Sequence, residues 1–193
     1  YNEWAMRSYF GRVNLNWDDK YLLEANLRAD GSSKFAPGKR WGYFPSVSAA
    51  WRISEEDFMH GTASWLDQLK IRASYGSLGN NETTSYYMYQ SLFATANYIL
   101  NGNIAGGLAQ TVLANPELTW EKTYMTNLGI DYAFLNSRLS GSVDIYNKNT
   151  KGILISLPAP LEHGTSTVPN QNAGEVNNKG FEFDIHWNDR IGK

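Results

Sequence analysis

Any chemistry in this chain must come from a short set of residues. Arg28, Asp30, Lys34, Lys39 and Arg40 form the densest charge cluster. Such a cluster can hold an anion or face a partner, but it reads more simply as a solvated rim. Within it, Asp30-Gly31-Ser32-Ser33 is a turn sequence, lacking the acidic repeat and distal Glu of a calcium loop. Glu55, Glu56 and Asp57 could act as paired acids. Following Ser54, they read instead as the start of a short helix, where the dipole favours carboxylates. His60, His163 and His186 are scattered and the chain has no cysteine, so no metal centre is expected. Gly76-Ser77-Leu78-Gly79 lacks the Gly-Lys-Ser/Thr ending of a phosphate loop, and no Gly-x-Ser-x-Gly elbow occurs. No nucleophile, base and metal set converges, so neither an enzyme nor a cofactor is expected.

Residues 78–118 hold Tyr86, Tyr87, Tyr89, Phe93 and Tyr98 with Asn97, Asn101 and Asn103. Aromatic rings beside amides can stack on and hydrogen-bond a sugar or a peptide. The same rings can pack a long loop onto its neighbours, and packing has the larger claim. Tyr86, Tyr87, Tyr89 and Tyr98 are the candidate substrate contacts.

The elements that position these residues are ribbons. Tyr9, Gly11, Val13, Leu15 and Trp17 alternate with Phe10, Arg12, Asn14 and Asn16; Asp18-Asp19-Lys20 turns the chain. Tyr21, Leu23, Ala25, Leu27 and Ala29 then alternate with Leu22, Glu24, Asn26, Arg28 and Asp30. A period of two puts apolar and polar residues on opposite faces of a strand. Five more ribbons follow: Tyr43 to Ile53, Leu69 to Tyr75, Trp120 to Phe134, Leu139 to Ile145 and Phe181 to Trp187. About seven strands in sequence, with turn signals between, predict an antiparallel meander. Each of the first two runs matches the ~9–11 residues that cross a bilayer as a tilted strand.

Composition permits this. Net charge is −2 and the pI near 5.9, giving no basic field for nucleic acid. Mean hydropathy is −0.46, yet a barrel wall shows lipid only alternate residues. The expected lipid-facing set is Val13, Leu15, Leu23, Leu27 and Ile130; Arg12, Asn14, Asn16, Glu24, Asn26 and Arg28 would face the lumen.

Connections alternate in length. Residues 18–20 and 135–138 are short, whereas 31–40, 78–118 and 148–176 are long; 54–68 is the exception among the turns. Outer-membrane barrels have short periplasmic turns and long extracellular loops. That parity gathers Trp17, Tyr21, Trp51, Tyr132, Phe134 and Trp187 into a girdle at the periplasmic ends, with Tyr43, Trp120 and Tyr124 near the outer ends. A soluble β-sandwich carbohydrate-binding module and a structural or adhesive outer-membrane barrel remain alternatives.

Specific words narrow this. Arg28-Ala29-Asp30-Gly31-Ser32-Ser33-Lys34-Phe35, Arg40 to Arg52, Leu69 to Gly76, Leu113 to Thr123 and Asn177 to Glu182 closely resemble the barrel of the SusC/RagA family of TonB-dependent outer-membrane transporters. The resemblance implies a bacterial outer-membrane, multi-pass, all-β antiparallel barrel of about 22 strands, of which residues 1–193 form one segment. It implies import of glycans or peptides, powered by TonB and assisted by a SusD-like surface lipoprotein. The plug domain, the TonB box and the C-terminal end of the barrel are expected to lie outside this chain.

The parity sets a test of orientation. On intact cells, Ser85→Cys should react with an impermeant thiol reagent and Asn136→Cys should not; the reverse pattern would invert the barrel.

Overall fold

The computed structural model describes residues 3–82, 84–156 and 170–189, with positions 158, 162 and 168 besides. His163, and the run Arg190 to Lys193 expected to begin a further turn, lie outside the described residues.

The described residues form nine strands: β1 Met6–Trp17, β2 Tyr21–Ser32, β3 Trp41–Arg52, β4 Leu66–Asn80, β5 Leu92–Leu100, β6 Asn103–Val112, β7 Glu121–Phe134, β8 Leu139–Ile155 and β9 Gln171–Trp187. Seven pair in the order β1-β2-β3-β4-β7-β8-β9, every neighbour antiparallel, and β5-β6 form a separate hairpin. The sheet does not close: among the described residues β1 and β9 each have one free edge.

The hairpin lies inside the expected 78–118 loop. Asn101 and Gly102 both take positive φ (49° and 75°) at its tip, the geometry that an Asn-Gly pair favours in a two-residue turn. Two other strands outrun their expected ends. β8 continues through Lys148, Asn149, Thr150 and Lys151, and β9 starts at Gln171, shortening the 148–176 connection. Asn147 to Lys151 and, Val176 apart, Glu175 to Lys179 are polar, so hydrophobic alternation breaks off there; the apolar run Ile153-Leu154-Ile155 returns only at the end of β8.

Directly opposed residues of an antiparallel pair share a face. One row therefore runs Leu15, Leu23, Ala49, Ala73, Leu128, Ile145 and Phe181 across the sheet. A second runs Trp17, Tyr21, Trp51, Ile71, Ile130, Val143 and Phe183. These rows are exposed, with no second sheet packed on them among the described residues. A sandwich would have buried them.

At the end with the short turns, aromatics cluster: Tyr21 stacks on Trp51 at 6.4 Å, Trp65 on Phe134 at 5.9 Å, and Tyr132 lies 5.6 Å from Phe134. The short helix expected at Ser54 is present after β3, in two pieces. It forms 3-10 turns at Ile53–Glu55 and Asp57–Thr62, neither with a side-chain cap. Glu55 and Asp57 each stand in the first turn of one of them, where the helix dipole favours a carboxylate. Glu56 sits between the two turns and reaches back to the sheet, accepting hydrogen bonds from the Tyr21 hydroxyl (2.7 Å) and the Trp51 indole (2.9 Å). Lys20 Nζ is 3.4 Å from its other oxygen. Hydrogen bonds from Tyr21 and then Trp51 hold the Glu56 carboxyl below the usual glutamate range, because they favour its charged form.

A depressed carboxylate pKa contributes stability above the unfolded value, ~4.3, and loses it as pH falls through the folded one. Proteolysis of the 53–65 connection in the folded protein should stay flat from neutral pH to about 5 and rise only below about 4. Glu56→Gln should be cleaved faster already at neutral pH, with no such rise.

Candidate functional site

On the opposite face, strand pairing assembles a polar surface. Arg12 Nε donates to Asn26 Oδ1 at 2.8 Å, and Asn26 Nδ2 donates to Glu24 Oε1 at 2.7 Å. Asn14 lies opposite Glu24, and Asn16 opposite Leu22. Arg28 Nε pairs with Asp30 Oδ2 at 2.7 Å. All six expected lumen-facing residues thus lie on the same side of β1-β2. Phe10, opposite Arg28 on that side, is an exposed aromatic that the alternation does not explain.

Farther along that face is a network that no single strand reveals. Lys70 Nζ lies 2.7 Å from Asp131 Oδ2, and Arg72 bridges Asp131 Oδ1 (3.0 Å) and Asp144 Oδ2 (2.6 Å). Asn127 adds a bond to Asp144 Oδ1 at 3.0 Å. Arg72, Gly129 and Asp144 are register partners on β4, β7 and β8. A Cβ on Gly129 would stand 2.7 Å from Arg72 Cζ, so only glycine lets the guanidinium lie across β7. Sequence reading supplies the charges but not the register that joins them.

At the end with the long connections the packing is dense. Phe35, Phe44, Leu118 and Trp120 form a buried cluster, with Met88 and Leu154 against it. Trp120 lies 5.4 Å from Phe35 and 5.5 Å from Phe44, and its indole donates to the Arg40 carbonyl at 2.9 Å. It is therefore core and not a member of an outer aromatic band. The β3–β4 register ends at Ser46↔Gly76; beyond it the Phe44 ring occupies space that a side chain on Gly42 or Gly79 would fill.

The charge cluster differs from its expectation too. Lys39, paired with Glu117 at 2.9 Å, is a solvated rim residue, but Asp30 and Lys34 are buried. Lys34 is bonded into a buried polar group with Ser32, Asn81 and Thr84, while Asp30 is held by Arg28. Turn sequences usually mark surface, so burial there follows from the loops that fold over them and is not visible locally.

The segment Leu113 to Trp120 acts as a bracket. Asn115 donates to the Asn170 carbonyl at 2.8 Å and its backbone N–H to the Met88 carbonyl at 3.1 Å. Asn172, at the start of β9, bonds both the N–H and the carbonyl of Thr119 (3.0 and 2.9 Å) and the Gly152 carbonyl (2.8 Å). Three long connections are thereby joined.

The candidate tyrosines divide. Tyr86, Tyr87 and Tyr89 are carried together on one turn segment, the first two rings 6.5 Å apart. A pocket of about 580 Å³ is lined by Tyr87 and Tyr89 with Glu3, Trp4, Ser33 and Arg40. Its aromatic walls can stack on a ring or an apolar side chain, and its cation and carboxylate can hydrogen-bond hydroxyls or peptide groups. Tyr98 instead sits on the separate hairpin, its ring over Gly107. His186 Nε2 lies 2.8 Å from Asp184 on β9, and His60 is in the 53–65 connection, so neither joins this surface.

The profile of the family described as TonB dependent receptor-like, beta-barrel, matches residues 1–192. A TonB-dependent receptor of Formosa agariphila is 37% identical over 186 residues, covering 96% of this chain and 18% of that protein. The TonB-dependent receptor SusC of Bacteroides thetaiotaomicron is 35% identical over 182 residues, covering 93% of this chain and 18% of SusC. The structure of the RagAB peptide importer in its closed-closed state superposes with a TM-score of 0.85 at 32% identity, covering 100% of this chain and 20% of that one. This chain therefore spans about a fifth of the length of the proteins it matches.

The two faces make opposite demands. In the assembled barrel, Leu27→Arg should lose ~2–4 kcal/mol, the cost of a mid-depth charge against lipid, measured by reversible unfolding. Asn26→Leu should lose less. The inverse order would exchange the faces.

Proposed function

Because this chain belongs to the TonB-dependent receptor-like β-barrel family, whose SusC and RagA relatives are outer-membrane proteins, we propose that it forms part of the wall of an outer-membrane importer of oligomeric nutrients, glycans or peptides. The observation that carries this reading is the exposed apolar face set back to back with a mostly polar one. Val13, Leu15, Leu23, Leu27 and Ile130 then meet lipid, and Trp17, Tyr21, Trp51, Tyr132 and Trp187 form the periplasmic girdle. Arg12, Asn14, Asn16, Glu24, Asn26 and Arg28 line the lumen. The long connections are extracellular, and Tyr86, Tyr87 and Tyr89 offer a stacking surface to the incoming oligomer, with Tyr98 a separate contact on the hairpin.

The role is transport and not catalysis. Residues 1–193 serve within one barrel domain, while the plug and TonB box belong to other parts of the protein. TonB supplies the energy through them, and a SusD-like lipoprotein hands over the substrate. The resemblance of the barrel words to SusC/RagA supports both partners, as does the likeness to SusC and RagAB.

A stacked aromatic contact contributes ~0.5–1.5 kcal/mol, so Tyr87→Ala and Tyr89→Ala should each raise the substrate concentration for half-maximal uptake about two- to tenfold. Barrel abundance in the outer membrane should not change. Wild-type uptake from the double variant would remove the tyrosines from the substrate surface.

A further inference from the structure

Lys34 is 6% exposed, yet among the described residues no carboxylate pairs with it. Its ammonium donates to the Asn81 carbonyl at 3.0 Å and lies 5.2 Å from the Trp4 ring centroid and 5.6 Å from that of Tyr86. A buried ammonium without a counter-ion is costly unless its charge is met by dipoles and ring faces. Here one carbonyl and two rings meet it, and they come from two segments far apart in the sequence, one holding Trp4 and the other Asn81 and Tyr86.

The surrounding bonds converge on the same point. Asn81 Nδ2 donates to Ser32 Oγ at 3.0 Å, and the Ser32 hydroxyl also receives the Lys34 backbone N–H at 3.3 Å. Ala5 and Ser33 exchange two bonds, Ala5 N to Ser33 Oγ at 2.9 Å and Ser33 N to the Ala5 carbonyl at 3.0 Å. The Tyr87 hydroxyl meets the Glu3 backbone, donating to its carbonyl at 3.2 Å and accepting from its N–H at 3.4 Å. The approach to β1, the connection after β2 and the connection after β4 are thus drawn together around one cation.

From this geometry we propose that Lys34 is a positioning residue for the tyrosine surface: its charge, held between Trp4 and Tyr86, fixes the 84–90 turn. Removing the charge while keeping the volume releases Tyr86, Tyr87 and Tyr89 from their common orientation. An arginine keeps the charge and binds ring faces equally well, so it preserves the arrangement. The inference deepens the proposed substrate surface and rests on it for its functional meaning, but its test is read without substrate.

The experiment uses the intact transporter with spin labels at Ser85→Cys and His60→Cys, and a control pair at His60→Cys and Asn136→Cys within the turn end. Lys34→Met should widen the first distance distribution about twofold and leave the control pair unchanged, as expected when a desolvated cation–π clamp is lost. Lys34→Arg should retain the wild-type width. Tyr86→Leu, which removes one wall and leaves the charge, should also widen it, and gives the same reading should Lys34→Met fail to assemble. Wild-type widths in both Lys34→Met and Tyr86→Leu would overturn the proposal, as would a Lys34→Arg distribution as broad as that of Lys34→Met. Unchanged uptake in the tyrosine variants would leave these widths untouched, so the two readings fail separately.

Discussion

Every backbone N–H and C=O inside a bilayer needs a partner in the protein, since hydrocarbon offers none. That requirement governs the β-barrel family to which this chain belongs. It explains why the seven sheet strands follow one another as antiparallel neighbours without a crossover, except where β5 and β6 intervene. With the ladder satisfied, the side chains are free to differ on the two faces, and they do. The polar face in turn uses its freedom to build cross-strand ion pairs such as Arg72 with Asp131 and Asp144, which lock register where lipid exerts no sorting force.

Stability is distributed unusually for a chain of this size. The buried apolar cluster is small, and it lies at the long-connection end among Phe35, Phe44, Leu118 and Trp120. Opposite it, the short-turn end is fastened by Glu56 gripping Tyr21, Trp51 and Lys20. Among the described residues the middle of the sheet has no core of its own. It is held by the ladder and by whatever solvates its apolar rows, which is how a membrane wall differs from a domain.

The alternation in β1, β2 and β3 was enough to place strands, turns and faces, because each residue there answers to one local demand. It failed wherever the demand was remote. Lys34 and Asp30 look like surface from their turn-rich surroundings, and only the folded-over connections bury them. Trp120 stands near a strand end as a girdle residue would, but the loop bracket of Asn115 and Asn172 turns it into core. Glu56 follows the pattern of a helix start, and its partners lie 35 and five positions away. The β5-β6 hairpin was legible in principle from Asn101-Gly102, whereas the polar stretches Asn147 to Lys151 and Asn177 to Lys179 interrupt the periodic signal of β8 and β9.

The outer halves of β8 and β9 give the wall an uneven profile. β8 and β9 have 17 residues each where β1 and β2 have 12. At ~3.3 Å per residue, the former pair stands roughly 16 Å taller along its own direction. A wall with one high side and one low side is not an evenly cut cylinder but a spout. Were this sheet to stand in the wall of the proposed importer, the β8-β9 side would be a backstop and the β1-β2 side a lip, giving a bulky chain molecule a preferred heading before any pocket touched it.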